Sequence, residues 1–493
     1  MTARSFVDVS APGLVAQADE LLRRGFRLAL VAAHDDGDQL RVVYDVTKGP
    51  PVERVEVCVR LSPRKPELPS LAALSFPASR FEREMRDLFG IEPIGHPQPR
   101  RLVLHQHWPE GWRAMRRGSG DPPSLLDDAA PYPFVPVEGN GVYEIPVGPV
   151  HAGLIEPGHF RFFVIGETIL RMKARLWFVH KGIERLLEGK TVAQGLAIAE
   201  RVSGDTAVGH SLAYCLAVEE AEGLSVPVEA TRLRAALLEL ERLYNHVGDI
   251  GALANDVGFG LAQARALDLR ERLLRLNAQI TGHRLLRGGV VPGGAVVARL
   301  PSASELDEID ERLASLTRLV MSNPIVVDRF TGTAVLSAND ALDLGTVGVT
   351  ARASGSTLDA REAHPFAELS SSWRISREEG GDVLSRFNVR RKEAEVSIDI
   401  LREWESLDVG EFVNADGRRQ PPTGSGLGIV EAWRGSLAHR VEVDDAGTLR
   451  RVKIVDPSFL NWPALPVSLA DTIVPDFPLA NKSFNLSYAG NDL

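Results

Sequence analysis

Three histidines carry the most usable chemistry in the chain. His159 follows Glu156-Pro-Gly, His210 lies in a Gly-rich helix start, and His439 follows a turn at Arg434. Imidazole titrates near neutrality, so these side chains would make a proton relay or a ligand-binding cleft if the fold brings them together. Held apart, each is an ordinary structural histidine. Other chemistries lack their signatures: there is no GxSxG elbow, HExxH, Walker loop or strand-linked GxGxxG, and Gly424-Ser-Gly-Leu-Gly428 has the wrong spacing. The only cysteines are Cys58 and Cys215, neither with a CxxC partner. Alone, the chain therefore builds no disulfide framework, no cysteine-ligated iron-sulfur cluster and no four-cysteine zinc site. Taken singly, these residues leave the function open.

The elements that must position these residues can be read from pattern. With 493 residues, 44% of them hydrophobic and 25% charged, the chain is a globular protein of several units. A net charge of -10 argues against a nucleic-acid binder, because phosphate contacts need clustered cations. The stretch from Arg100 to Arg117, with five arginines and two tryptophans, is a local exception and reads as a docking surface or linker. No apolar run approaches the ~20 residues of a membrane helix. Asp8, Asp19 and Glu20 interrupt any signal-peptide core, so a cytoplasmic chain is expected.

The spacing predicts an α+β fold. A small N-terminal α+β domain spans 1–113, with a helix at Leu14 to Arg24, strands at Phe26 to Ala32, Leu40 to Val46 and Val55 to Leu61, and an amphipathic segment at Ala78 to Leu88. Residues 114–140 are rich in Pro, Gly and Asp and read as a linker. Residues 141–493 form a large, mainly helical bundle with short strands at its edges. It opens on a hairpin carrying Phe160, Phe162 and Val164. Leu233, Leu237, Leu240, Tyr244 and Val247 line one helix face, and Leu269, Leu273, Leu276 and Ile280 line another. Ser302 and Glu305 form a capping box ahead of a third helix. Short strands are expected at Val430 to Leu437 and Val452 to Val455.

Longer motifs carry a resemblance. RFEREMRDLFGIEPIGHPQPRRLVL (80–104) resembles the signature of the small peripheral 30-kDa-type subunit of respiratory complex I. GPVHAGLIEPGHFRF (148–162), ERVSGDTAVGHSLAY (200–214), LERLYNHVGDIGALANDVGF (240–259), TGHRLLRGGVVPGG (281–294), GDVLSRFNVR (381–390), EAWRGSLAH (431–439) and KIVDPS (453–458) resemble the 49-kDa-type subunit of complex I. They resemble more closely the large subunit of energy-converting nickel-iron hydrogenases of the formate hydrogenlyase type. The resemblance runs through nearly the whole chain.

It implies an oxidoreductase subunit, yet the departures from it matter. In active hydrogenases of the family, four cysteines in two CxxC pairs hold nickel and iron. Here those positions read Ser203, Thr206, Ser458 and Asn461. Hydroxyls and an amide are hard, weak donors and do not replace soft thiolates. No metal is therefore expected on this chain, and the four side chains are expected to be hydrogen-bonded in a filled-in cavity. Asp205, between two of them, would either stay charged against Arg434 or titrate at a raised pKa. The resemblance gives Arg434 a place over the active site and Glu156 a role in proton transfer. His159 matches the histidine that clamps a quinone headgroup in complex I. The tyrosine half of that clamp aligns with Gly204, and Trp433 replaces the usual proline before Arg434.

The expected protein is a peripheral-arm subunit on the cytoplasmic face of the membrane. It would bind no cofactor of its own apart from a quinone at His159. Its expected partners are an iron-sulfur small subunit, membrane proton-pumping subunits and other peripheral redox subunits. NAD binding by this chain has no motif behind it. A catalytically inert scaffold is the competing reading, and an active nickel-iron hydrogenase the least favoured. Family proteases cleave a metal-loaded C-terminus, so without the metal an intact mass including Leu493 is expected.

Overall fold

The computed structural model describes residues 3–153, 155–414 and 424–493. The N-terminal sheet is four-stranded. The strand Ala3–Val9, which the sequence reading missed, lies parallel to Glu53–Leu61, and Leu40–Lys48 and Arg27–Asp35 follow in antiparallel order. Val42, Tyr44, Val46 and Val57 bury one face under the helices Leu14–Arg23 and Phe76–Phe89. The other face is polar, since Arg41, Asp45, Arg54 and Glu56 alternate with the apolar residues. In an isolated sheet such a face would meet water. Here it is buried as well, with Asp45 at 0% and Glu56 at 2% exposure.

The second unit covers this polar face with its own charged strands. Arg440 Nη1 lies 2.9 Å from Glu56, and Arg41 reaches Glu442 at 2.9 Å. Deeper in, Lys453 Nζ bonds both carboxylate oxygens of Glu84 at 2.7 and 2.8 Å and Glu184 at 3.1 Å. Arg451 also pairs with Glu184 at 2.7 Å. Each cation is matched because an unpaired buried charge costs several kcal/mol.

No helix or strand occurs between Ile94 and Val142. Arginines pin that stretch: Arg101 donates to the carbonyls of His105 and Trp108, Arg100 to Pro133, and Arg116 to Asp35. These arginines thus fasten the run to the chain itself.

The remainder is built on the helix Val228–Asp256, where Leu233, Leu237, Leu240, Tyr244 and Val247 are all buried. Gly260–Thr281, Val383–Glu403 and Ala207–Glu222 pack around it, and the expected Ser302–Glu305 box caps Ala303–Met321. A three-stranded antiparallel sheet, Ser425–Ala432, Gly435–Val443 and Leu449–Val455, lies on Ala207–Glu222. A side-chain carbon on Gly426 or Gly428 would sit 2.0 Å from the carbonyl of Ala217 or Ala213, so the Gly-rich run is a packing seam between strand and helix. The expected strand at Val430 to Leu437 is a correction: it folds back on itself at Trp433 and Arg434, and Ala432 pairs with Gly435. Alternation predicts extension there, but the Gly435 backbone takes φ +144°, which the turn uses. No helix among the described residues is long and apolar enough to cross a membrane.

Candidate functional site

Four short connections meet beneath the helix Ala207–Glu222. They are the turn carrying Ser203 to Thr206, the hairpin turn Trp433-Arg434, the one-turn helix Pro457–Asn461, and Asn485 to Ser487 near the end of the chain. Each is fixed locally. Asp456 caps Pro457–Asn461 by accepting from Ser458 N at 2.8 Å, with Pro457 filling the first helical position. Asn485 takes a left-handed φ of +44°, and its carbonyl accepts from Arg434 Nε at 2.6 Å.

At the centre, Asp205 and Arg434 form a two-pronged ion pair, Nη1–Oδ1 and Nη2–Oδ2 both at 2.7 Å. Burial pushes the Asp205 carboxyl up, but the guanidinium overrides it and, with the hydroxyls of Ser203 and Thr206, holds the group down at about 2. Asp205 is therefore the charged partner of Arg434. Ser203 Oγ donates to Asp205 at 2.9 Å and sits 2.9 Å from Ser487 Oγ, while Thr206 Oγ1 donates to Asp205 at 3.0 Å. Trp433 Nε1 donates to the Asp205 carbonyl and to Thr206 Oγ1. Ser458 Oγ accepts from Ser487 N at 2.9 Å. Asn461 turns aside: its amide accepts from Val347 N at 2.9 Å and donates to Val347 O at 3.1 Å. All four side chains at the expected positions are thus engaged in hydrogen bonds, three of them in one network with Asp205, Trp433, Arg434 and Ser487.

Two of the three histidines converge. His210 Nδ1 lies 3.0 Å from His439 Nε2, and His210 Nε2 lies 3.1 Å from Asp456 Oδ2, all fully buried. Burial holds His439 well below the usual imidazole range, the neighbouring His210 adding to it, so His439 is neutral. Asp456 is lowered despite its burial, because His210 and Arg434 favour the carboxylate. His159 does not join this group. Its Nδ1 faces the Gly148 carbonyl at 3.2 Å, its ring packs on Phe134, and its Nε2 is buried with no hydrogen-bond partner among the described residues. Glu156 accepts from Ala489 N at 3.1 Å, two residues along from Ser487. Tyr214 bonds the Val192 carbonyl.

Sequence reasoning missed Glu241, Asn245, Asn485 and Ser487. Glu241 accepts from the amides of Val208 and Gly209, and burial raises it to about 8. Asn245 Nδ2 bonds the Asp205 carbonyl at 2.8 Å. A signal existed for both, polar residues interrupting the apolar face of a long helix; the two tail residues had none. Among the described residues, no three His, Cys, Asp or Glu side chains are grouped to hold a metal ion. Cys58 is half-buried on a strand and Cys215 is buried on Ala207–Glu222. The arrangement can hold a charge pair, orient backbone turns and pass a proton between imidazoles.

Comparison with known proteins agrees with this architecture. The family described as the respiratory-chain NADH dehydrogenase 30 Kd subunit matches residues 7–119, and the 49 Kd subunit family matches residues 256–422. Formate hydrogenlyase subunit 5 of Escherichia coli (strain K12) is 32% identical over 451 residues, covering 89% of this chain and 79% of that one. Hydrogenase-4 component G of the same organism is 32% identical, covering 86% and 76%. The NADH-quinone oxidoreductase C/D subunit of Phocaeicola vulgatus is 29% identical, covering 82% of each. Among solved structures, a chain of the membrane-bound sulfane sulfur reductase, an archaeal respiratory membrane complex, superposes with a TM-score of 0.65 at 25% identity, over 73% of this chain and 100% of that one. The chain therefore belongs to the family of hydrogenase and NADH-quinone oxidoreductase subunits, with a 30 Kd-type unit fused ahead of a 49 Kd-type unit.

Proposed function

We propose that this chain is the large peripheral-arm subunit of a membrane-bound, hydrogenase-like or complex I-like oxidoreductase, and that it holds no nickel-iron centre of its own. The observation that carries this reading is the donor set. Two serines, a threonine and an asparagine stand at the ligand positions, and each spends its polar atoms on hydrogen bonds around Asp205 and Arg434 or on the Val347 backbone. Such donors do not fit a metal pair that needs thiolates. Electrons would be carried by an iron-sulfur cluster in a small partner subunit, with membrane proton-pumping subunits beneath, on the cytoplasmic face. Metal analysis of the purified complex tests it. Nickel well below one atom per chain is expected; stoichiometric nickel overturns the reading.

A role in quinone or proton-coupled electron transfer is supported by the unpartnered buried Nε2 of His159 and by Glu156, which accepts from Ala489 N on the tail that carries Ser487. His159→Ala and Glu156→Ala in reconstituted membranes are expected to lower quinone reduction at least tenfold. Activity indifferent to both changes favours a scaffold that joins other subunits without redox work of its own.

A further inference from the structure

A cleft of about 380 Å³ opens between the two units, away from the Asp205–Arg434 pair. One wall is the start of the strand Arg27–Asp35 with the loop before Phe76–Phe89; the other is formed by the hairpin strands, the Ala360–Ala363 turn and Val347. Its interior is aliphatic, with Leu28, Leu358, Ile429, Leu437, Val455 and Leu460. Its mouth is unusual for a protein surface. Leu342 is 76% exposed there, and Leu74 and Phe76 are each 39% exposed, so apolar residues from both units rim the opening. Beside them stands Arg27, an exposed residue whose guanidinium lies within electrostatic reach of the buried Glu431 but makes no hydrogen bond or ion pair among the described residues. Lys48 is already paired with Glu53 at 3.5 Å, and Asp343 is the one carboxylate in the lining. His364 is neutral at pH 7, held at about 4 by burial and by the neighbouring Arg27 and Arg54.

We propose that this cleft binds a medium-chain aliphatic carboxylate, its head on Arg27 and its chain lying between the two units. The planar fork of a guanidinium matches a carboxylate. An aliphatic interior rewards burial of methylenes at about 0.8 kcal/mol each. The volume sits at the small end of the ~300–1,000 Å³ of ligand sites, which excludes a two-chain lipid.

Calorimetric titration of the full chain with decanoate tests it. One saturable site per chain is expected. Arg27→Gln should weaken binding at least tenfold, and Ala29→Phe, which fills the cleft from its wall, should abolish it. Thermal unfolding of each variant checks its fold. Arg27 holds no other group, so Arg27→Gln stays decisive even if Ala29→Phe misfolds. Decanol binding as tightly as decanoate would overturn the role of the head group. Absence of saturable binding, or binding untouched by either substitution, would overturn the site.

Discussion

Asp205 and Arg434 show how one residue sets the character of a pocket. Arg434 is 4% exposed, so its charge survives burial only through Asp205, whose side chain is 35% exposed. Asp205→Asn is expected to cost about 2–4 kcal/mol at pH 7, the loss for a stranded buried charge discounted for the solvent at Asp205. The folded-state value lies below the ordinary 3.8, so the stabilisation is present above about pH 4 and is lost as pH falls toward about 2. Denaturant unfolding across that range should show a slope in the parent that Asp205→Asn lacks; equal stability of the two at pH 7 would refute the assignment. Position by position, the polar replacements at 203, 206, 458 and 461 were legible in the sequence, but the choice between a charged and a raised-pKa Asp205 stayed open there and is decided by the two-pronged contact with Arg434. The partners Ser487 and Asn485 were not legible, because pairings as distant as Ser203–Ser487 and Arg434–Asn485 leave no local pattern.

At the scale of elements, the long helices and the Ser302–Glu305 cap were legible because periodicity and capping are local. The hairpin at Trp433-Arg434 was not, because its turn depends on a neighbour. Gly348 takes φ +66°, and a side-chain carbon there would lie 2.0 Å from the Arg434 carbonyl. The segment carrying Gly348 and the turn carrying Arg434 are thus pressed backbone to backbone. Gly348→Ala is expected to destabilise by at least about 3 kcal/mol, combining left-handed strain with overpacking. A thermal unfolding midpoint unchanged from the parent would show that the turn yields without cost.

For the whole molecule, the deciding feature is the polar face of the N-terminal sheet. Its alternation reads as a solvent-facing surface, and only the charges of the second unit, Arg440, Glu442, Arg451 and Lys453, show why it is buried; a single strand's pattern cannot name the element that covers it. Lys453→Met strips Glu84 of its cation, while Glu184 keeps Arg451, and is expected to cost about 3–5 kcal/mol. Calorimetry should give one cooperative transition for both units in the parent; two separated transitions would show that the interface contributes little. The Asn461–Val347 pairing has a wider consequence. A side-chain amide there does the work of an adjacent strand, so the floor of the cleft between the units and the one-turn helix beside the buried histidines are clamped together like rungs of one ladder. Asn461→Leu keeps the volume but strips both rungs, and deuterium uptake at the Val347 amide should then quicken at least tenfold, whereas unchanged protection would mean that the clamp is idle.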